Sequence, residues 1–181
     1  MNNNPLIKVS LKWGLIYAGI SSLSLFGTYL FGPLTNKTMG LIIGIISFAI
    51  MITVMVLSNK EYQKKYLGGY IKYWQCLVNG ILIYAISSVI ISLLTFVIYG
   101  LLDVAAFNQM IEDQLLQISS NPDIPQTWKE KQLDGIASMT PLKQAVFQLA
   151  GIVWGVIVSL IVAIFTRKKN NSFEGAIKEI E

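Results

Sequence analysis

Between Tyr73 and Leu102 the chain runs without a single charged side chain. A bilayer core of about 30 Å requires roughly 20 apolar residues in helical form. Three more stretches reach that length: Trp13 to Asn36, the run MGLIIGIISFAIMITVMVL from Met39 to Leu57, and Gln144 to Thr166. Their apolarity is continuous, not alternating, which argues against barrel strands. Composition agrees: 54% of the residues are hydrophobic and 13% charged, where a soluble domain carries about 25% charged residues. The expected fold class is all-α, an integral membrane bundle of four transmembrane helices. It forms a single membrane domain over 1–181, with spans near 13–31, 39–57, 73–102 and 142–166. A helical periplasmic loop is expected at 103–140 and a cytoplasmic tail at 167–181.

Lys8 and Lys12 precede the first span, as they would in a secretory signal peptide. The apolar run is long, however, and the following LFGPLTNK contains no small-residue cleavage pattern, so an uncleaved first helix is expected. Lys and Arg near the spans set orientation. Grouping the chain by alternating sides puts ten bases on the side of both termini and the middle loop, and four on the other. Both termini are therefore expected in the cytoplasm. The loop after the third span also holds six acids, Asp103, Glu112, Asp113, Asp123, Glu130 and Asp134.

The middle loop is the basic, aromatic stretch KEYQKKYLGGYIKYWQ, Lys60 to Gln75. Basic residues interleaved with aromatics suit nucleic acid only as part of a larger exposed basic surface. Flanked by two oily spans, Lys64, Lys65, Tyr70, Tyr73 and Trp74 instead read as membrane-interface anchors, as do Arg167, Lys168 and Lys169 after the last span. Tyr70, Tyr73 and Trp74 have the spacing of one helix face, and Gly68-Gly69 reads as the turn. Asn36-Lys37-Thr38 matches a glycosylation sequon, but short sequons are common by chance. In the long loop, Phe107, Met110, Ile111, Leu115 and Ile118 form a helical stripe. Thr127 and Glu130 have capping-box spacing for a second short helix. Thr140-Pro141 fits an N-cap and first helical position for the fourth span.

The spans offer little chemistry. The chain has no histidine and one cysteine, Cys76, so no disulfide pairing within the chain and no Cys/His metal site are expected. No cofactor and no catalytic residue is expected either, because a serine nucleophile needs a base and an oriented partner. Asn79 and Ser88 are the candidates for a polar lining. Gly151, Gly155, Ser159 and Ala163 recur every four positions, as do Gly40 and Gly44, and such small-residue rows let helices approach closely. The row suits another helix of the bundle or another subunit. The expected partners are membrane lipids, with a homo-oligomer or membrane-protein partner, and not nucleic acid.

NPLIKVSLKWGLIYAG (Asn4 to Gly19), GGYIKYWQCLVNG (Gly68 to Gly80), FNQMIEDQ, and the run from Thr140 to Lys169 resemble a family of small four-helix bacterial inner-membrane proteins known as a domain of unknown function. YIKYWQ departs from the family pattern, which is richer there in phenylalanine and glycine. The resemblance implies an inner-membrane location and transfers no activity. The expected function is that of a non-enzymatic membrane component acting through helix packing or partner binding; a small oligomeric transporter or channel is the alternative.

Overall fold

The computed structural model describes residues 4–31, 37–122 and 124–168, with side chains at 31 and 37–40 excepted. Lys169, the sequon beginning at Asn36 and the packing role of Gly40 lie outside that description. Four helical spans of 26, 26, 30 and 26 residues are long and apolar enough to cross a membrane. The first is α1 (Pro5–Phe31) and the second α2 (Lys37–Tyr66). The third joins α3 (Tyr73–Phe96) to a π-helical segment, Val97–Leu102. Two shorter helices, α4 (Val104–Ser119) and α5 (Gln126–Ala137), precede a fourth span made of α6 (Pro141–Ala150) and α7 (Ile152–Thr166).

Helix limits follow local chemistry more than the presence of charge. Pro5 occupies the first turn of α1, where its missing N–H costs nothing, and Asn4 Oδ1 accepts from Leu6 N at 3.1 Å. The first helix therefore starts eight residues before Trp13. No glycine or proline falls between Gly44 and Gly68, so α2 continues through Lys60, Lys64 and Lys65 to Tyr66. It stops where Gly68 (φ 59°) and Gly69 (φ 98°) adopt backbone that L side chains avoid. The amides of Leu67 and Gly69 both reach the Gln63 carbonyl, and the Gln63 side-chain amide donates to the Gly69 carbonyl.

Tyr70 sits in the turn before α3, so the expected face of Tyr70, Tyr73 and Trp74 does not form on one helix. The proposed capping box at Thr127 is likewise displaced: α5 begins at Gln126, with Pro125 at its N-cap and no side-chain cap bond. Thr140 does cap α6, accepting from Lys143 N at 3.2 Å, with Pro141 following it.

α3 is the axis of the bundle. It packs along α1 on one side and along α6 and α7 on the other, with α2 touching α1, α7 and α3. The row on the fourth span faces α3. A Cβ on Gly155 would lie 2.4 Å from Tyr84 Cγ, and one on Gly80 would lie 2.5 Å from Ser159 Oγ. These approaches replace the bulk that the hydrophobic effect would otherwise bury, since lipid tails are as apolar as the side chains they compete with. Gly44 has nothing within 4 Å of where its Cβ would stand.

Three core clusters run from end to end. Val9, Tyr62, Ile71, Cys76, Leu77 and Ala163 fill the basic end. Met51, Met55, Val158 and Val162 fill the middle. Ile98, Tyr99 and Phe107 seat α4 at the far end. Large apolar side chains such as Leu23, Ile45 and Phe165 are exposed on the outside of the bundle, where a membrane-spanning bundle meets lipid.

The two rows predict different costs. Gly155→Val forces α7 away from Tyr84 and is expected to destabilise the protein by about 1–3 kcal/mol, the range for overpacking. Gly44→Val should stay within about 0.5 kcal/mol of the parent, as surface changes do. Unfolding in mixed micelles, followed by loss of helical circular dichroism, measures both.

Candidate functional site

Near the basic end, one amide binds the bundle together. Asn79 is fully buried in α3. Its Nδ2 donates to Ser58 Oγ and to Asn59 Oδ1, both at 2.8 Å and both on α2. Its Oδ1 accepts from Ser10 Oγ of α1 at 2.7 Å. The Ser10 hydroxyl is shared with the Leu6 carbonyl at 2.8 Å. Asn59 Nδ2 donates in turn to Thr166 Oγ1 of α7 at 2.9 Å, and that hydroxyl donates to the Val162 carbonyl at 2.8 Å. One chain of hydrogen bonds thus reaches all four spans, and among the described residues no buried side-chain polar atom lacks a partner.

Sequence reading missed Ser58 and Asn59 because it ended the second span at Leu57, and Ser10 because it began the first span at Trp13. The signal was available: without a helix breaker, Ser58 and Asn59 continue α2 and carry its polarity inward. The same extension explains Glu61. Its carboxylate accepts from Lys12 Nζ at 2.8 Å and Trp13 Nε1 at 2.7 Å, both on α1, and from Lys65 Nζ at 2.7 Å. Lys12 also lies 5.3 Å from the Trp13 ring centroid, within cation–π range.

The anchors divide by role. Lys64, Tyr70, Trp74, Arg167 and Lys168 are exposed, while Tyr73 packs against the basic-end core. Lys65 is held by Glu61. Ile71 and Lys168 exchange two main-chain hydrogen bonds of 3.1 Å, which fasten the turn before α3 to the end of α7. At the opposite end Asp103 works from both oxygens. Oδ1 caps α4 by accepting from Ala106 N at 2.9 Å, and Oδ2 accepts from Tyr29 Oη at 3.0 Å. The Asp103 amide bonds the Ile98 carbonyl at 2.8 Å, closing the π-helical turn that carries Tyr99 into the core.

Most hydroxyls within the spans bond to the backbone. Ser22, Thr53, Ser87, Ser88 and Ser159 donate to carbonyls three or four residues earlier, the ordinary behaviour of serine and threonine in helices. Ser92 crosses to the Ala145 carbonyl at 2.7 Å, and Thr95 donates to Gln148 Oε1 at 3.2 Å. Both bonds join α3 to α6.

The fourth span turns at Gly151, whose amide bonds the Gln148 carbonyl at 3.1 Å in a tightened turn. Beside that turn lies a cavity of about 300 Å³, lined by Tyr17 and Ser21 of α1, by Tyr84, Ser87, Ser88 and Ile91 of α3, and by Phe147, Gln148 and Gly151. Ser88, a candidate lining residue, borders this cavity, whereas Asn79 belongs to the hydrogen-bonded knot. The structure does not bring these two candidates into one surface.

Replacing Asn79 tests the knot. Asn79→Leu removes three interhelical bonds. At roughly 0.6–1.7 kcal/mol each in a membrane, the expected loss is about 2–5 kcal/mol. Asn59→Leu in the Asn79→Leu background should cost less than it does alone, because the two amides share a bond. Equilibrium unfolding of the single and double variants reads the coupling.

One family model matches this chain, over residues 12–168, and is described as a protein of unknown function (DUF4199). No curated protein and no solved structure matches.

Proposed function

The chain belongs to that family of proteins of unknown function, which hands it no activity, and we propose from its geometry a non-enzymatic component of the bacterial inner membrane. It acts through helix packing and contact with a membrane-protein partner. The observation that carries this reading is the Asn79 knot, which occupies the polar groups at the basic end and ties the four spans together. A bundle closed there presents its partners with outer surfaces instead of a solute path. Ser87, Ser88 and Ser159 donate to carbonyls, and the chain has no histidine to serve as their base.

The outer helices supply the contact surface. α5 packs on α4 and buries none of its own residues, and Leu116 and Trp128 are exposed there. The orientation follows from charge. Lys12, Lys65, Arg167 and Lys168 gather at one end of the bundle through the Lys12–Glu61 and Ile71–Lys168 contacts, and a lysine-rich end belongs in the cytoplasm. The alternative, a small oligomeric transporter or channel, draws its support from the cavity beside Gly151.

Two experiments test the proposal. Proteoliposomes holding the purified protein are expected to leak ions and small solutes at the rate of empty vesicles. Robust flux above that of empty vesicles, blocked by a substitution at the cavity-lining Ser88, would establish transport in its place. For orientation, Ser120→Cys is expected to react with a membrane-impermeant maleimide added outside intact cells, and Lys64→Cys only after lysis. The native Cys76 is buried and serves as the blank. The opposite pattern would reverse the topology.

A further inference from the structure

The cavity beside Gly151 has a chemistry of its own, distinct from the packing role above. It exists because two helices do not close on each other. Among its described side chains, α2 enters the core from Met51 onward, while Leu41 to Phe48 are exposed around the helix. At that level α1 and α6 stand apart with α3 behind them, and no described side chain of α2 lines the cavity. Tyr84 to Ile91 lie near the middle of the Tyr73–Leu102 span, so the opening faces the membrane interior.

The lining mixes apolar surface with uncharged polar groups. Tyr17, Ser21, Tyr84, Ser87, Ser88 and Gln148 bring hydroxyls and an amide, and no Lys, Arg, Asp or Glu is present. Two donors are uncommitted. Gln148 uses Oε1 to accept from Thr95, and its Nε2 has no acceptor among the described residues. Tyr84 Oη stands close to Gly151 and likewise donates to no described residue. Half-open space in hydrocarbon that sets free donors beside apolar surface favours an apolar occupant that also brings acceptors. Its volume of about 300 Å³ lies at the lower end of the range of ligand pockets, about 300–1,000 Å³.

We propose that this cavity is a lateral binding site for an uncharged, carbonyl-bearing lipid of the diacylglycerol type. Tyr84 Oη and Gln148 Nε2 donate to an ester carbonyl, and the exposed Phe147 lies along an acyl chain at the rim. Depth and charge select the class. A phospholipid or fatty-acid anion would have to carry its charge to mid-bilayer with no counter-ion waiting, which is costly. A small neutral head leaves the interface readily.

The test uses the full-length protein in phosphatidylcholine nanodiscs with a diacylglycerol that carries a diazirine beside one acyl carbonyl. Irradiation is expected to label peptides spanning 17–21 and 147–151 saturably. Excess unlabelled diacylglycerol should displace the probe, and excess oleate should not. Tyr84→Phe keeps the ring that packs on Gly155 and deletes only the hydroxyl. It should weaken saturable labelling about three- to tenfold, the worth of one hydrogen bond, and Gln148→Leu should do the same. Labelling that rises linearly with probe and falls equally on residues 41–49 would overturn the proposal, as would Tyr84→Phe labelling like the parent. Displacement by oleate as effective as by diacylglycerol would also overturn it.

Discussion

A primary amide inside a membrane protein must find every hydrogen-bond partner within the protein, because hydrocarbon supplies none. Asn79 meets that demand by drawing on α1 and α2 at once, and Asn59 extends the chain of bonds to α7. Hydrogen bonds have direction, so this constraint sets the rotation and height of each span in a way that apolar contact does not. Rotating α3 by one residue would break all three of Asn79's bonds to α1 and α2 and leave its amide unmatched in a dry interior. The surrounding geometry conforms to the knot: Ala163 and Ser159 are small where α7 meets α3, and Gly80 lets Ser159 approach.

The two ends of the bundle are consequently unequal. At the basic end the knot, the Glu61 contacts to α1 and the Ile71–Lys168 pairing bind every span to another. Toward the other end the links are fewer and more local. Ser92 and Thr95 hold α6 to α3, and Asp103 joins α1 to the start of α4. α2 has no comparable polar tie in its first described turns, and the space beside α1 and α6 stays open. Tight packing at the basic end and lateral access beyond it, near mid-span, arise from the same uneven placement of hydrogen-bonding residues.

Four spans, a helical connection between the third and fourth, and the grouping of lysines were all legible in the chain, because each rests on length or charge. Limits were less legible where charge was taken as a stop signal. Lys60, Glu61, Lys64 and Lys65 remain helical since nothing breaks the helix before Gly68, and lysine and glutamate are good helix formers. Tyr70 failed to join the face of Tyr73 and Trp74 because it precedes the first helical residue. At Thr127 a plausible capping pattern lost to Pro125, which fits the position immediately before a helix and lets α5 begin one residue earlier than Thr127. The small-residue row of the fourth span could be read as a packing surface, but Tyr84 as its occupant could not.

The sequence by itself determined that the chain has four membrane-spanning segments and which of their ends are basic. Segment length and local charge act against the bilayer and water independently of any neighbour. Only the tertiary structure decided what the polar residues of those segments do. Asn79 became the centre of a closed network, and Ser88 came to border a cavity, although in the sequence both are polar residues on one apolar helix. The difference is set by which helices stand opposite, at what rotation, and whether their donors and acceptors meet within hydrogen-bond distance. Those relations join residues as far apart as Asn59 and Thr166, and no local pattern encodes them.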